Sequence, residues 1–277
     1  MPPWIGVVLA GTRGEGDALA AARGVRHRAL LDVAGTPMLV RVVRCLRETQ
    51  RIERLVVSID EPAAIDSVPE LAALVRDGSL AVHRSLASPS RSVLDLLRSL
   101  PPGRPVLVTT ADHALLTPEM AACFLDAAEA SGADVVAGVV RREVIEARFP
   151  ETTRTWLRFR DGDVSGANLF AFRTQAASRA AEFWLRAESF RKRPWRLVAA
   201  FGPVALLAFL LRRLDLAAAT ARASRAFGAR AQLVALPFAE AAIDVDRPAD
   251  HELATRILEA RHSSRSPAAA NERVASS

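Results

Sequence analysis

The sequence predicts an α/β protein built on a mostly parallel central sheet, and three observations carry that reading. Apolar runs recur at residues 5–10, 55–59, 105–110 and 134–140, with amphipathic stretches between them. Continuous β-branched and aliphatic runs suit strands covered on both faces. The first run empties into Gly11-Thr12-Arg13-Gly14-Glu15-Gly16-Asp17, which can hold neither helix nor strand. The chain of 277 residues is 50% hydrophobic and 25% charged, enough for a full core in one α/β domain.

The same composition removes several function classes. Net charge is +6, yet the basic residues are scattered beside acidic ones and no aromatics interleave with them, so nucleic acid is not an expected partner. Cys45 and Cys123 are the only cysteines, both inside apolar helical patterns, and read as buried free thiols rather than metal ligands or a disulfide. The first apolar run is short and lacks a basic leader, which predicts a cytoplasmic location.

In the opening stretch, three glycines let the backbone approach a ligand closely and turn its N–H groups toward an anion. Arg13 adds charge within the loop, and Arg28 adds a second basic position just before Ala29-Leu30-Leu31-Asp32-Val33. Gly35-Thr36-Pro37-Met38 then opens an amphipathic helix over residues 38–46. The arrangement reads as a phosphate-binding entrance to the sheet, against the plainer reading of a flexible βα turn. It is no P-loop, because the sole lysine of the chain is Lys192. It is no dinucleotide fingerprint either, because some twenty residues separate the loop from the helix.

The entrance resembles the nucleotidyltransferases related to the molybdenum-cofactor guanylyltransferase and the methylerythritol-phosphate cytidylyltransferase, the MobA-like NTP transferase family. Leu9-Ala10-Gly11-Thr12-Arg13 stands for the family's L-A-G-G with a nearby arginine. Residues 28–38, RALLDVAGTPM, stand for its K-x-L-L-x-V-x-G-x-P-M. Arg28 occupies the lysine position and offers a planar fork in place of a point charge. The resemblance implies a Rossmann-like three-layer fold of the nucleotide-diphospho-sugar transferase (GT-A) type.

Further along, residues 55–59 form the second strand, 69–76 a helix and 80–83 a short strand, with His83 as a partly exposed strand end. A hydroxyl-rich loop, residues 85–92, precedes a helix over 93–100 that Ser88 or Ser90 can cap. The resemblance adds that Arg91 and Ser92 touch the nucleotide. Residues 105–110, PVLVTT, are the cleanest strand and run into Ala111-Asp112-His113, with Thr117 and Pro118 starting the next helix. An aspartate past the carboxyl end of a central parallel strand lies where open α/β sheets bind ligands. The family carries a metal-binding aspartate in this T-x-A-D setting, so Asp112 takes that role by resemblance.

Strands over 155–159 and 168–172 flank the turn signal Asp161-Gly162-Asp163. By resemblance the second lines the acceptor pocket, where Asn168 fixes a phosphate or hydroxyl; a turn-stabilising asparagine is the alternative. Residues 175–227 read as a helical insert. Its apolar part, 197–211, spans about 22 Å as a helix, short of a bilayer core, and Gly202-Pro203 interrupts it. Two readings stay open for 191–213: a buried helical layer, or a peripheral membrane contact through the basic flanks and Trp195. Residues 232–236 form the last strand, followed by Asp244-Val245-Asp246-Arg247-Pro248 and a final helix to about Arg261. Asp244 and Asp246 alternate on an extended segment and so share a side. The predicted domain covers 1–262, with 263–277 a disordered tail.

Carried over residue by residue, the resemblance implies a Mg²⁺-dependent transfer from a nucleoside triphosphate to a phosphate-bearing small molecule. Leu9, Ala10, Gly11, Thr12, Gly14, Arg91 and Ser92 bind the nucleotide, Arg13, Arg28 and Asp112 are catalytic, and Asn168 and Lys192 meet the acceptor. Asp112 and Asp246 hold the metal, with Asp244 in reserve. Rival readings are a GT-A glycosyltransferase, which the long Gly/Arg loop disfavours, and a nucleotide-binding protein without turnover on the same fold.

Overall fold

In a computed structural model the structure describes residues 2–12, 18–189, 207, 211 and 213–265. Arg13, Gly14 and Lys192 lie outside the described residues, as do Trp195 and all of 191–213 except Leu207, Leu211 and Arg213.

The apolar runs form the strands of one sheet, as expected: β1 (Trp4–Leu9), β4 (Ile52–Ile59), β5 (Leu80–Arg84), β6 (Val106–Thr110), β7 (Val135–Arg141) and β10 (Ala231–Ala235). With β8 (Leu157–Phe159) and β9 (Gly162–Phe172), they run β10-β7-β9-β6-β1-β4-β5, β8 pairing with β9. The β1–β4, β1–β6, β4–β5 and β7–β10 pairs are parallel, whereas β9 runs antiparallel to β6, β7 and β8. A small hairpin, β2 (Asp32–Val33) and β3 (Thr36–Pro37), precedes α2 (Met38–Glu48), and α3 (Ala63–Asp66), α7 (Arg142–Arg148) and α9 (Leu216–Phe227) follow further along.

Side-chain alternation along β1 shows how the layers assemble. Trp4 and Val8 face one cluster with α2, α4 (Pro69–Arg76) and α6 (Pro118–Ala130). Ile5 and Val7 face the other with α5 (Pro89–Ser99) and α8 (Ser178–Ser189). α10 (Pro248–Arg265) closes a third cluster with Leu31, Val33 and Met38, beside the carboxyl ends of the strands. Among the described residues no helix is long and apolar enough to cross a membrane.

Four expectations are corrected. A five-residue helix, α1 (Ala18–Ala22), stands between the glycine loop and β2, where the sequence reading places no element; alanine is the strongest helix former, and Leu19 and Ala20 are buried. β9 is eleven residues long rather than the five of 168–172, because its Gly, Ser and Asp residues hide a strand pattern that pairing with three neighbours supplies. α10 continues through Arg265, where Ser263 and Ser264 hydroxyls bond back to the carbonyls of Glu259 and Arg261, so 263–265 are helical; 266–277 lie outside the described residues. Cys123 is only half-buried, unlike Cys45; both are free.

Candidate functional site

Because β1, β4, β5 and β6 are parallel, their carboxyl ends share one edge, and the chain leaves each of them there. Gly11 and Thr12 follow β1, Asp60 follows β4, Ser85 follows β5 and Asp112 follows β6. Backbone bonds lock this edge: Ala10 N–H to Ser58 O at 2.7 Å, Ser85 N–H to Ile59 O at 2.9 Å and Ala111 N–H to Leu9 O at 2.9 Å. Space is tight at the loop's start, since a Cβ on Gly11 would lie 2.9 Å from the Ser85 hydroxyl.

Asp112 meets Asp244 and Asp246 at this edge, and one carboxylate oxygen from each lies within 4.8 Å of the others. The C-terminal segment is held in place by Val245 N–H donating to Asp112 O at 3.0 Å. Thr110 Oγ1 donates to Asp112 Oδ1 at 2.5 Å. Arg28 reaches across, donating to Asp246 Oδ1 at 2.5 Å and Val245 O at 2.8 Å, with Asp112 Oδ2 3.9 Å away.

Asn168 sits in the left-handed region at φ +48°, within a register irregularity between β7 and β9 that re-aims its side chain. Its amide donates to Asp244 Oδ2 at 3.4 Å. Arg154, with only 5% of its side chain exposed, donates to Asp244 Oδ1 at 2.5 Å and also pairs with Asp250. Asp250 in turn accepts from Arg247 N–H at 3.0 Å at the start of α10.

Three carboxylates this close oppose one another's ionisation. Burial, then the charges of Asp244 and Asp246, push the Asp112 carboxyl up from 3.8 to about 6 against the Thr110 bond and Arg28. Burial and Asp246 raise Asp244 too, against Arg154. The stability Asp112 contributes is therefore full below 3.8 and lost as pH rises through about 6. Asp112→Asn in metal-free buffer is expected to stabilise the fold by about 1–2 kcal/mol at pH 8 and by almost nothing near pH 4. Thermal melts at the two pH values check this; equal gaps at both would remove the electrostatic cause.

Against this geometry, the sequence profile of the MobA-like NTP transferase domain matches residues 6–233, a span that runs from β1 into β10. The chain belongs to the MobA-like NTP transferase family. It is accordingly an enzyme of the nucleotidyltransferase class. A hypothetical transferase from Thermus thermophilus is 32% identical, with a TM-score of 0.74 over 91% of this chain and 100% of that one. The 4-diphosphocytidyl-2C-methyl-D-erythritol synthase of Anaerococcus prevotii shares the fold at 13% identity and TM-score 0.56, covering 92% of this chain and 96% of that one. So does a CMP:2-keto-3-deoxy-manno-octonic acid synthetase complexed with CTP, at 15% and 0.58, covering 94% and 99%. No curated protein matches the chain.

Of the remaining residues expected of a MobA-like site, Leu9, Gly11, Thr12 and Ser92 line a cleft of about 590 Å³ at the carboxyl end of β1, whereas Ala10 and Arg91 are not among its lining residues. Ala10 is buried. Arg91 is exposed, and its N–H donates to Ser88, which caps α5. Ser92, in the first turn of α5, spends its hydroxyl on the segment just before it, accepting from Leu86 N–H at 2.8 Å and donating to Ser88 O at 3.2 Å.

Sequence reasoning missed three residues of this edge. Asp60 accepts from Thr12 N–H at 3.3 Å and from the Thr12 hydroxyl. His27, 2% exposed, accepts Ala29 N–H on Nδ1 at 3.2 Å, so its proton lies on Nε2 and donates to Asp60 Oδ1 at 2.9 Å. Burial raises the Asp60 carboxyl, but bonds from Thr12 and His27 prevail and hold it below its ordinary value. Arg154 is the third. Asp60 follows a strand end just as Asp112 does, and that signal was available.

Proposed function

We propose that this chain transfers a nucleoside monophosphate from a nucleoside triphosphate to a phosphate-bearing small-molecule acceptor, releasing pyrophosphate. The observation that carries the reading is the Asp112–Asp244–Asp246 cluster at the strand edge that also holds the start of the glycine loop. The donor set fits Mg²⁺, a hard cation that takes carboxylate, phosphate and water oxygens, and like charges at this spacing favour a divalent counter-ion. Bound there, Mg²⁺ would neutralise charge on the reacting phosphates.

The chain's own residues supply the alignment. The backbone from Gly11, with Arg13, cradles the triphosphate, and the Arg28 fork serves the carboxylates and a phosphate oxygen at once. Arg154 and Asn168 hold Asp244 in position. An acceptor phosphate oxygen attacks the α-phosphorus in line, the new P–O bond forms, and the bridging bond to the β-phosphate breaks with its electron pair leaving on pyrophosphate. The acceptor is already an anion, so no strong base is required, and catalysis rests on orientation and charge neutralisation.

The test is pyrophosphate release with Mg²⁺ for each of the four nucleoside triphosphates against a panel of sugar, alcohol, pterin and lipid-linked phosphates. Release that needs one triphosphate and one acceptor establishes the reaction. Nucleotide binding with silence across the panel would overturn the phosphate-bearing acceptor. Asp60→Ala, which frees Thr12 from the loop's anchor, is expected to raise the triphosphate KM by about 5–10-fold with kcat within about threefold, matching the net worth of one ordinary hydrogen bond. An unchanged KM would mean that Thr12 needs no anchor.

A further inference from the structure

The cleft beside the glycine loop is walled on one side by α8, and α8 brings it an indole and a carboxylate. Trp184 is 37% exposed and Leu86 47%; they are two of the five large apolar side chains exposed among the described residues, and both line this cleft. A surface indole and a leucine facing one slot mark a place for a flat apolar ligand. The Trp184 ring is braced from behind by Phe170, the centroids 5.5 Å apart and the planes tilted by 45°. Glu188 lies four residues on, on the same helix face, and also lines the cleft.

The polar groups at this end are unevenly committed. The Ser90 hydroxyl donates to Glu188, and the Ser92 hydroxyl donates to Ser88 O, so both protons are spent within the chain. Glu188 accepts only, and a carboxylate has lone pairs beyond the one that Ser90 uses. What α8 itself turns toward a ligand is therefore a π surface and an acceptor.

We infer that Trp184 and Glu188 form the base-recognition site of the nucleotide, the base stacking on the indole and its exocyclic amino group donating to the carboxylate. The inference rests on the reading that the adjoining loop holds a triphosphate. It names the substrate class: amino-bearing bases (cytosine, adenine, guanine) are accepted, whereas uracil sets a carbonyl oxygen against the carboxylate and leaves it without its donor.

The test is equilibrium binding of CTP, ATP, GTP and UTP to the full chain with Mg²⁺, by calorimetry and tryptophan fluorescence, for wild type, Trp184→Leu and Glu188→Gln. Wild type is expected to bind UTP at least about tenfold more weakly than its best amino-bearing nucleotide, as a contact between a polar site and one base edge provides. Trp184→Leu is expected to weaken every nucleotide about tenfold, the loss of one stacking platform. Glu188→Gln, isosteric and still able to meet Ser90, is expected to close the gap, because its amide donates to a uracil carbonyl. UTP binding as tightly as the others in wild type overturns the inference. So do variants that bind every nucleotide as wild type does, while the proposed function stands. If wild type binds no triphosphate at all, both fall together.

Discussion

Alanine at position 112 is expected to cut pyrophosphate release by at least about 10³-fold, some 4 kcal/mol of transition-state stabilisation, while the protein melts at or above the wild-type temperature. The two halves of that expectation come from one cause. Asp112 sits among Asp244 and Asp246 with its carboxyl raised to about 6, so the folded chain bears its charge at a cost that serves only the bound state. A residue placed for packing would show the opposite pattern, losing stability along with rate. Steady-state release assays and thermal melts on the same preparation decide the matter. A near-normal rate for Asp112→Ala would move the metal away from β6 and undo the proposed chemistry.

Arg154→Ala is expected to be the most destabilising single change at the site, by about 3 kcal/mol, because it leaves buried carboxylates without their counter-charge. In a chain of this size that corresponds to a fall in melting temperature of roughly 6–10 °C. The guanidinium is 5% exposed and joins Asp244, in the acidic cluster, to Asp250, in the first turn of α10. Loss of the arginine therefore loosens the helix start and misplaces a proposed metal ligand together. Arg154→Lys, which offers one point charge to two acids, should recover only part of the loss. Denaturation of the three proteins side by side checks the ranking, and an Arg154→Ala chain as stable as wild type would show that the acids find other partners.

These two residues also show what sequence could and could not reveal. Asp112 was legible because its position is set by chain direction: a strand of continuous apolar residues must be buried, and a loop leaving its carboxyl end falls in the crevice. Asp244 and Asp246 were legible as a pair because alternate residues on an extended backbone share a side. Arg154 was not. It stands in an aperiodic loop, and its partners lie 90 and 96 residues further on, so nothing local marks it. His27 is hidden in the same way, buried by contacts that only the fold creates. β9 escaped for another reason: its glycines and polar residues do not favour a strand, and its three neighbours override them. The mostly parallel architecture was thus readable from its apolar strands, while its antiparallel member and the supports beneath the carboxylates were not.

The bond from Val245 N–H to Asp112 O joins parts of the chain made far apart in time. Every described residue that lines the cleft at the end of β1 is synthesised by residue 188, whereas two of the three carboxylates arrive only at 244 and 246. On the proposed mechanism, an unfinished chain on the ribosome thus carries the described lining of that cleft well before it can turn nucleotide over. On that mechanism catalysis is the last property each molecule gains.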